Sequence, residues 1–147
     1  MKKLLLITQI IFVSLMSYSQ VDEDKQLTES SKSLAIWLNN LNTKNYDKCW
    51  DGLSKKIQIM TDYDEWSKII SEEMDLFGEF NGRKEVFREF SSFEEGFGSG
   101  YYAKFLFASK YENTSEHTEY ILLHQDNKKN WKILQFEYEF SGANFYD

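Results

Sequence analysis

The ten residues WKILQFEYEF, Trp131 to Phe140, alternate between apolar and polar side chains. Leu134, Phe136, Tyr138 and Phe140 fall in one phase, and Gln135, Glu137 and Glu139 in the other. A period of two is that of a β-strand with one face buried and one in water, whereas a helix would repeat every 3.6 residues. Such a strand needs neighbours and a layer over its apolar face. The sequence upstream supplies both.

Working back from Trp131, DNKKN (126–130) reads as a turn and HTEYILLHQ (117–125) as a second strand. YYAKFLFASKY (101–111) alternates with Tyr101, Ala103, Phe105 and Phe107 on one face. RKEVFREF (83–90) reads as a fourth strand, and the glycine-rich SSFEEGFGSG (91–100) as a loop. Before these the period lengthens. Leu27, Ser31, Leu34, Leu38 and Leu41, widened by Trp37, make one helical stripe over 27–42. Tyr46, Cys49, Trp50 and Leu53 mark a short second helix, weakened at its end by Gly52. A third helix has Thr61 or Asp62 as N-cap, Asp64 and Glu65 in its first turn, an apolar face of Tyr63, Trp66, Ile70, Met74 and Phe77, and Gly78 as its stop. Trp50 and Trp66 lie on the apolar faces of their helices and are expected to anchor the helices to the sheet. Helices followed by consecutive strands predict an α+β domain, its N-terminal helices packed on one face of a curved antiparallel sheet of about four strands.

The N-terminus has a different character. Lys2 and Lys3 precede an apolar run from Leu4 to Met16, and Ser17 and Ser19 sit at −3 and −1 of a cut before Gln20. This is the layout of a secretory signal peptide over 1–19. The apolar run is shorter than the roughly 20 residues a membrane span needs, and no cysteine follows it to carry a lipid. The expected organisation is a leader (1–19), a charged lead-in (20–26), a single domain (27–140) and a short tail (141–147). The expected location is outside the cytoplasm, periplasmic or extracellular, with no stable membrane insertion once the leader is gone.

Without residues 1–19 the 147-residue chain keeps 128, enough for one core. One cysteine permits no internal disulfide, so packing must hold the fold, and 12 Phe, 9 Tyr and 4 Trp supply large side chains for it. Of 17 basic residues, Lys2 and Lys3 leave with the leader, so 15 face 24 acidic ones, a net charge of −9. That balance repels phosphate backbones and argues against nucleic acid as a partner.

The ordered set of residues carries a resemblance. Trp37-Leu38, Tyr46 and Cys49-Trp50, then Trp66, Gly78 and Arg83, then the strand opening at Trp131, resemble the family called domain of unknown function 4019, small secreted or periplasmic bacterial proteins. The resemblance covers about 33–140. The family pattern W-L-x-x-x-D-x-G-x-Y-x-x-S-W meets Asn42 at its aspartate, Lys44 at its glycine and Cys49 at its serine. Its final W-R-V-A-G-Y meets Trp131 to Phe136, with Gln135 at the glycine and Phe136 at the tyrosine. The resemblance implies no activity. It implies an organisation similar to the nuclear transport factor 2-like cone, a bent sheet wrapped around helices.

Sites of chemistry are sparse. Cys49 shares a helical face with Trp50 and has Asp47 and Asp51 nearby, which favour a protonated, packed thiol over a nucleophile. His117 and His124, seven apart on one strand, point to opposite faces and cannot share a metal without a bulge. GFGSG (96–100) lacks the lysine of a phosphate loop and opens a strand. Glu137 and Glu139 share an exposed face, and Asn113-Thr114-Ser115 is a glycosylation sequon. No metal or cofactor is implied, and no acidic residue is assigned to the inward faces. Two readings follow: a non-catalytic envelope module that binds another protein, or a pocket for a small apolar ligand lined by Trp50, Tyr101 and Tyr138 with His124 at its mouth. An isomerase or hydrolase using that pocket is the third and weakest.

Export by a bacterial host is expected to give a chain beginning at Gln20. Intact-mass measurement of the exported protein checks this, and retention of residues 1–19 would refute it.

Overall fold

The computed structural model describes residues 21–141; the expected leader (1–19) and residues 142–147 of the expected tail lie outside the described residues. Four helices precede four strands: α1 (Glu23–Asn42), α2 (Tyr46–Asp51), α3 (Lys55–Gln58), α4 (Tyr63–Phe77), β1 (Phe80–Glu94), β2 (Gly98–Tyr111), β3 (Ser115–Gln125) and β4 (Trp131–Ser141). The strands form one antiparallel sheet in the order β1-β2-β3-β4, curved and unclosed, with β1 and β4 at its edges. This is the α+β arrangement that the change of period predicts.

Helix α1 begins inside the expected lead-in. Asp22 caps it by accepting from the Lys25 N–H at 3.0 Å, and Glu23 and Asp24 follow in the first turn. Its buried stripe is Ser30, Leu34, Trp37, Leu38 and Leu41, so Ser30 and not Ser31 faces the core; the Ser30 hydroxyl donates to the Leu27 carbonyl. The helix stops at Thr43, and Lys44 follows with φ +55°, a left-handed conformation, where the resembling family has glycine.

Helices α1 and α2 are clasped by backbone and side chain together. The Trp37 Nε1–H donates to the Cys49 carbonyl at 3.0 Å, and the Cys49 thiol lies 3.8 Å from the Trp37 carbonyl. Gly52 lets the two helices close: a Cβ there would meet Trp37 Cδ1 at 2.6 Å. Directly after it, the chain joins the sheet. The Ile133 N–H donates to the Gly52 carbonyl at 3.0 Å, the Ser54 N–H donates to the Ile133 carbonyl at 2.7 Å, and Leu53 makes a parallel bridge to Ile133. The short α3 that follows, capped by Ser54, is not foreseen from the sequence.

In α4, Asp62 is the cap, accepting from the Glu65 N–H at 2.9 Å. Ile70, Met74 and Phe77 are buried, and Gly78 ends the helix with φ +75°. A side chain on Gly78 would strike Asn113 as well as strain the backbone.

Three sequence expectations are corrected. The stretch 91–100 is not a loop: β1 runs through Glu94 and β2 opens at Gly98, leaving a tight turn at 95–97. Leu134 does not share a face with Phe136, Tyr138 and Phe140. The register moves from Leu123↔Ile133 to Leu122↔Gln135, so Leu134 is an extra residue in a β-bulge. It turns to the far side of the sheet, into a small cluster with Tyr102 and Leu122, while Trp131, Ile133, Phe136, Tyr138 and Phe140 face the helices. Finally, the deeply buried tryptophans are Trp37 and Trp131. Trp50 and Trp66 are half-buried and pack on each other with centroids 5.6 Å apart.

Cys49 is fully buried, and burial pushes its thiol up to about 12. Cys49→Ser is expected to lower stability by about 1 kcal/mol, since the hydroxyl can bond back within the helix. Gly52→Ala should cost more, about 1–3 kcal/mol, because Trp37 must move. Urea titrations measure both. A native thiol-labelling rate matching that in denaturant would refute burial of Cys49.

Candidate functional site

Where the helical layer departs from the sheet it leaves a groove of about 570 Å³. Helix α4 contributes Glu65, Trp66, Ile69, Ile70 and Glu73, the segment around α3 contributes Leu53, Ile57, Met60 and Thr61, and Trp37 comes from α1. The sheet contributes residues 133–138, all from β4. The volume lies within the range of small-ligand sites. Apolar side chains here stay in water: Met60 is 80% exposed and Ile69 50%. Ile59, beside Met60, is also exposed. Large apolar residues rarely stay wet in such concentration without a binding role.

The polar groups of the groove are mostly acidic. Glu65, Glu73 and Glu137 line it, and among the described residues no lysine or arginine does. The Tyr138 hydroxyl donates to the Glu73 carboxylate; burial first, and this bond second, raise the phenol above its ordinary value. Among the described residues lining the groove, Thr61 is the remaining hydroxyl, and no histidine or cysteine stands there to activate it. There is no nucleophile–base pair among the described residues that line the groove.

The four residues expected to line a pocket are not brought together. Tyr138 lies in the groove. Trp50 supports it from behind, against Trp66 and Tyr63. Tyr101 sits on β2 against Phe90, with centroids 5.3 Å apart. His124 is on the opposite face, tilted over Tyr102 at 5.0 Å. The seven-residue separation of the two histidines does part them: His117 is buried on the helix side beneath Phe77, with centroids 4.6 Å apart.

An acidic residue does occupy the inward face. Glu119 is fully buried, in phase with Ile121 and Leu123 on β3. Arg83 reaches it from β1, donating through Nε to one carboxylate oxygen and through Nη2 to the other at 2.8 Å. Ser109 donates at 2.6 Å and Tyr111 at 2.7 Å. The Arg83 guanidinium also covers the Phe80 ring at 4.7 Å. Four donors saturate the carboxylate. Burial would raise its pKa, but Arg83, Ser109 and Tyr111 together hold it below the ordinary value of 4.5. Neither Glu119 nor Arg83 lines the groove. Buried, with four donors on its two oxygens, Glu119 is a structural anion. The missed signal was a charge in the apolar phase of a strand, which demands a buried partner.

The model of the family described as "Protein of unknown function (DUF4019)" matches residues 34–136. The chain belongs to this family. No curated protein and no solved structure matches it. The matched span holds the α1–α2 clasp, the Arg83–Glu119 pair and four of the six β4 residues along the groove, all but Glu137 and Tyr138.

Removing one partner of the buried pair, as in Glu119→Gln or Arg83→Met, is expected to cost about 3–5 kcal/mol in a urea titration. The double variant Arg83→Met/Glu119→Leu should cost less than the sum of the two single changes.

Stability should also fall in acid. His117 is held below its ordinary 6.5 by burial first, with Glu119 opposing and Arg83 reinforcing the shift. Below pH 6.5 the unfolded chain therefore takes a proton that the folded chain refuses, so stability declines as pH falls towards the folded value. His124, lowered by burial and then by Lys56, acts with the same sign. Glu119 adds its loss below pH 4.5. His117→Phe should reduce, not abolish, the slope between pH 6.5 and 5 in titrations across that range.

Proposed function

We propose that the protein is a non-catalytic binding module, exported to the periplasm or the outside, whose groove takes an apolar ligand bearing a positive charge. The observation that carries this is the groove itself: wet apolar side chains beside β4, with Glu65, Glu73 and Glu137 among them and no basic residue among the described residues of the lining. An apolar tail gains by leaving water against Trp66, Ile69 and Met60. A cationic head is favoured by the carboxylates and a second anion is not. The acidic chain and the secretory layout of residues 1–19 support the same picture of an exported protein that avoids nucleic acid. Against an enzyme stand the saturated bonding of Glu119 and the absence of a nucleophile–base pair among the groove residues.

Octylamine and octanoate carry the same tail with opposite charge. Octylamine is expected to alter tryptophan fluorescence, through Trp37 and Trp66, and to raise the melting temperature; octanoate should bind at least about tenfold more weakly. Ile69→Ser, at a half-exposed position, should weaken octylamine binding and change stability by only about 0.5 kcal/mol. Equal binding of both compounds, or binding of neither, would refute the proposal.

A further inference from the structure

The groove touches six consecutive residues of β4, from 133 to 138. Successive side chains of a strand point to opposite faces, so a cavity on one face would touch alternate residues. Contact with all six places the groove along the outer edge of the strand, where backbone forms part of its wall. β4 is the last strand of the sheet and pairs with β3 on its inner side. On its outer side Ile133 is engaged by Gly52 and Ser54. From Gln135 to Tyr138, among the described residues, no backbone hydrogen bond continues that pairing.

Exposed strand edges are commonly blunted with lysine, proline or a covering segment. This edge has a bulge at Leu134 and is followed by Gln135, Glu137 and Glu139, with no lysine or proline after Lys132. The glutamates bear on which strand can add. A second copy of β4 would bring Glu137 and Glu139 towards their own counterparts on a chain already carrying net charge −7. A basic strand would meet them as opposite charges.

We propose that the groove takes an extended, basic and apolar peptide segment of a partner protein as a fifth strand on β4. This rests on the binding reading above and specifies its ligand. Backbone groups of Gln135–Tyr138 supply the ladder. The peptide's apolar side chains lie against Met60, Trp66 and Ile69, and its basic side chains answer Glu65, Glu73 and Glu137. At about 3.4 Å per residue, the six residues of the wall match a peptide of about six.

The test uses the exported chain and capped six-residue peptides. One alternates isoleucine and lysine, one alternates isoleucine and glutamate, and two are lysine peptides N-methylated at alternate amides, one in each register. The lysine peptide is expected to bind by tryptophan fluorescence and to slow amide exchange at Gln135–Tyr138. The glutamate peptide should bind at least about tenfold more weakly, and one of the N-methylated registers should lose about tenfold while the other keeps its affinity. Glu65→Lys, an exposed change, should weaken the lysine peptide and strengthen the glutamate peptide. If both N-methylated peptides bind as tightly as the parent, strand addition is wrong. If octylamine binds and no peptide does, strand addition fails while the binding reading stands; if nothing binds, both fail. Slowed exchange of the same amides on self-association, without peptide, would overturn the choice of occupant in favour of a second copy.

Discussion

Two hydrogen bonds to Ile133, from Ser54 and to Gly52, stitch the helical layer to the edge of the sheet. Much else follows from them. They can form because Gly52 has no side chain to push Trp37 away, and because the Trp37 indole is itself tied to the Cys49 carbonyl. With residues 52–54 pinned at the start of β4, the chain turns through α3 and enters α4 some distance from the rest of the strand. The groove is the space left between them. Its location is thus a consequence of helix-to-edge docking at one residue of a long strand, with the remaining edge left uncovered by the described residues.

The opposite end of the sheet is organised by charge. Arg83 and Glu119 are both removed from water, at a cost that only their mutual bonds and those of Ser109 and Tyr111 offset. Above them sits an aromatic cover in which Phe77 touches Tyr111, His117, Tyr138 and Phe140. A buried pair of this kind adds little net stability compared with a well-packed apolar core, but it tolerates no other strand register, because each charge would lose its partner. Register control matters for a sheet whose β1–β2 and β3–β4 pairings both contain shifts. Tyr138 links the two ends: its ring packs in the aromatic cover and its hydroxyl reaches Glu73 in the groove.

The fold was largely legible because hydrophobic period is a local property. The helical stripes ending at Leu41 and Phe77, the caps at Asp62 and Gly78, and the alternation in β2 and β4 can all be read from residues a few positions apart. The errors have a common cause. Leu134 obeys the alternation in sequence, yet a bulge against Leu122 and Leu123 turns it over, and that depends on a partner strand. The run 91–100 looked like a loop because its glycines and serines carry no burial pattern, although β2 pairs with it through Phe93 and Glu94. Of the candidate site residues, Tyr138 lies on the one strand that meets the groove, while Tyr101 and His124 lie away from it, because faces can be assigned locally but neighbours cannot.

By itself the sequence determined the class of fold, the order of its elements, the acidic character of the chain and the packed role of Cys49. Each of these follows from composition or from contacts within one helix or strand. The tertiary structure alone decided that Arg83 and Glu119, 36 residues apart, become one buried unit, and that the apolar residues around α3 and α4 open beside β4 instead of closing over it. Both depend on which surfaces meet across the chain. Hydrophobic period records that a face must be covered, but it carries no record of which segment covers it or where the cover ends.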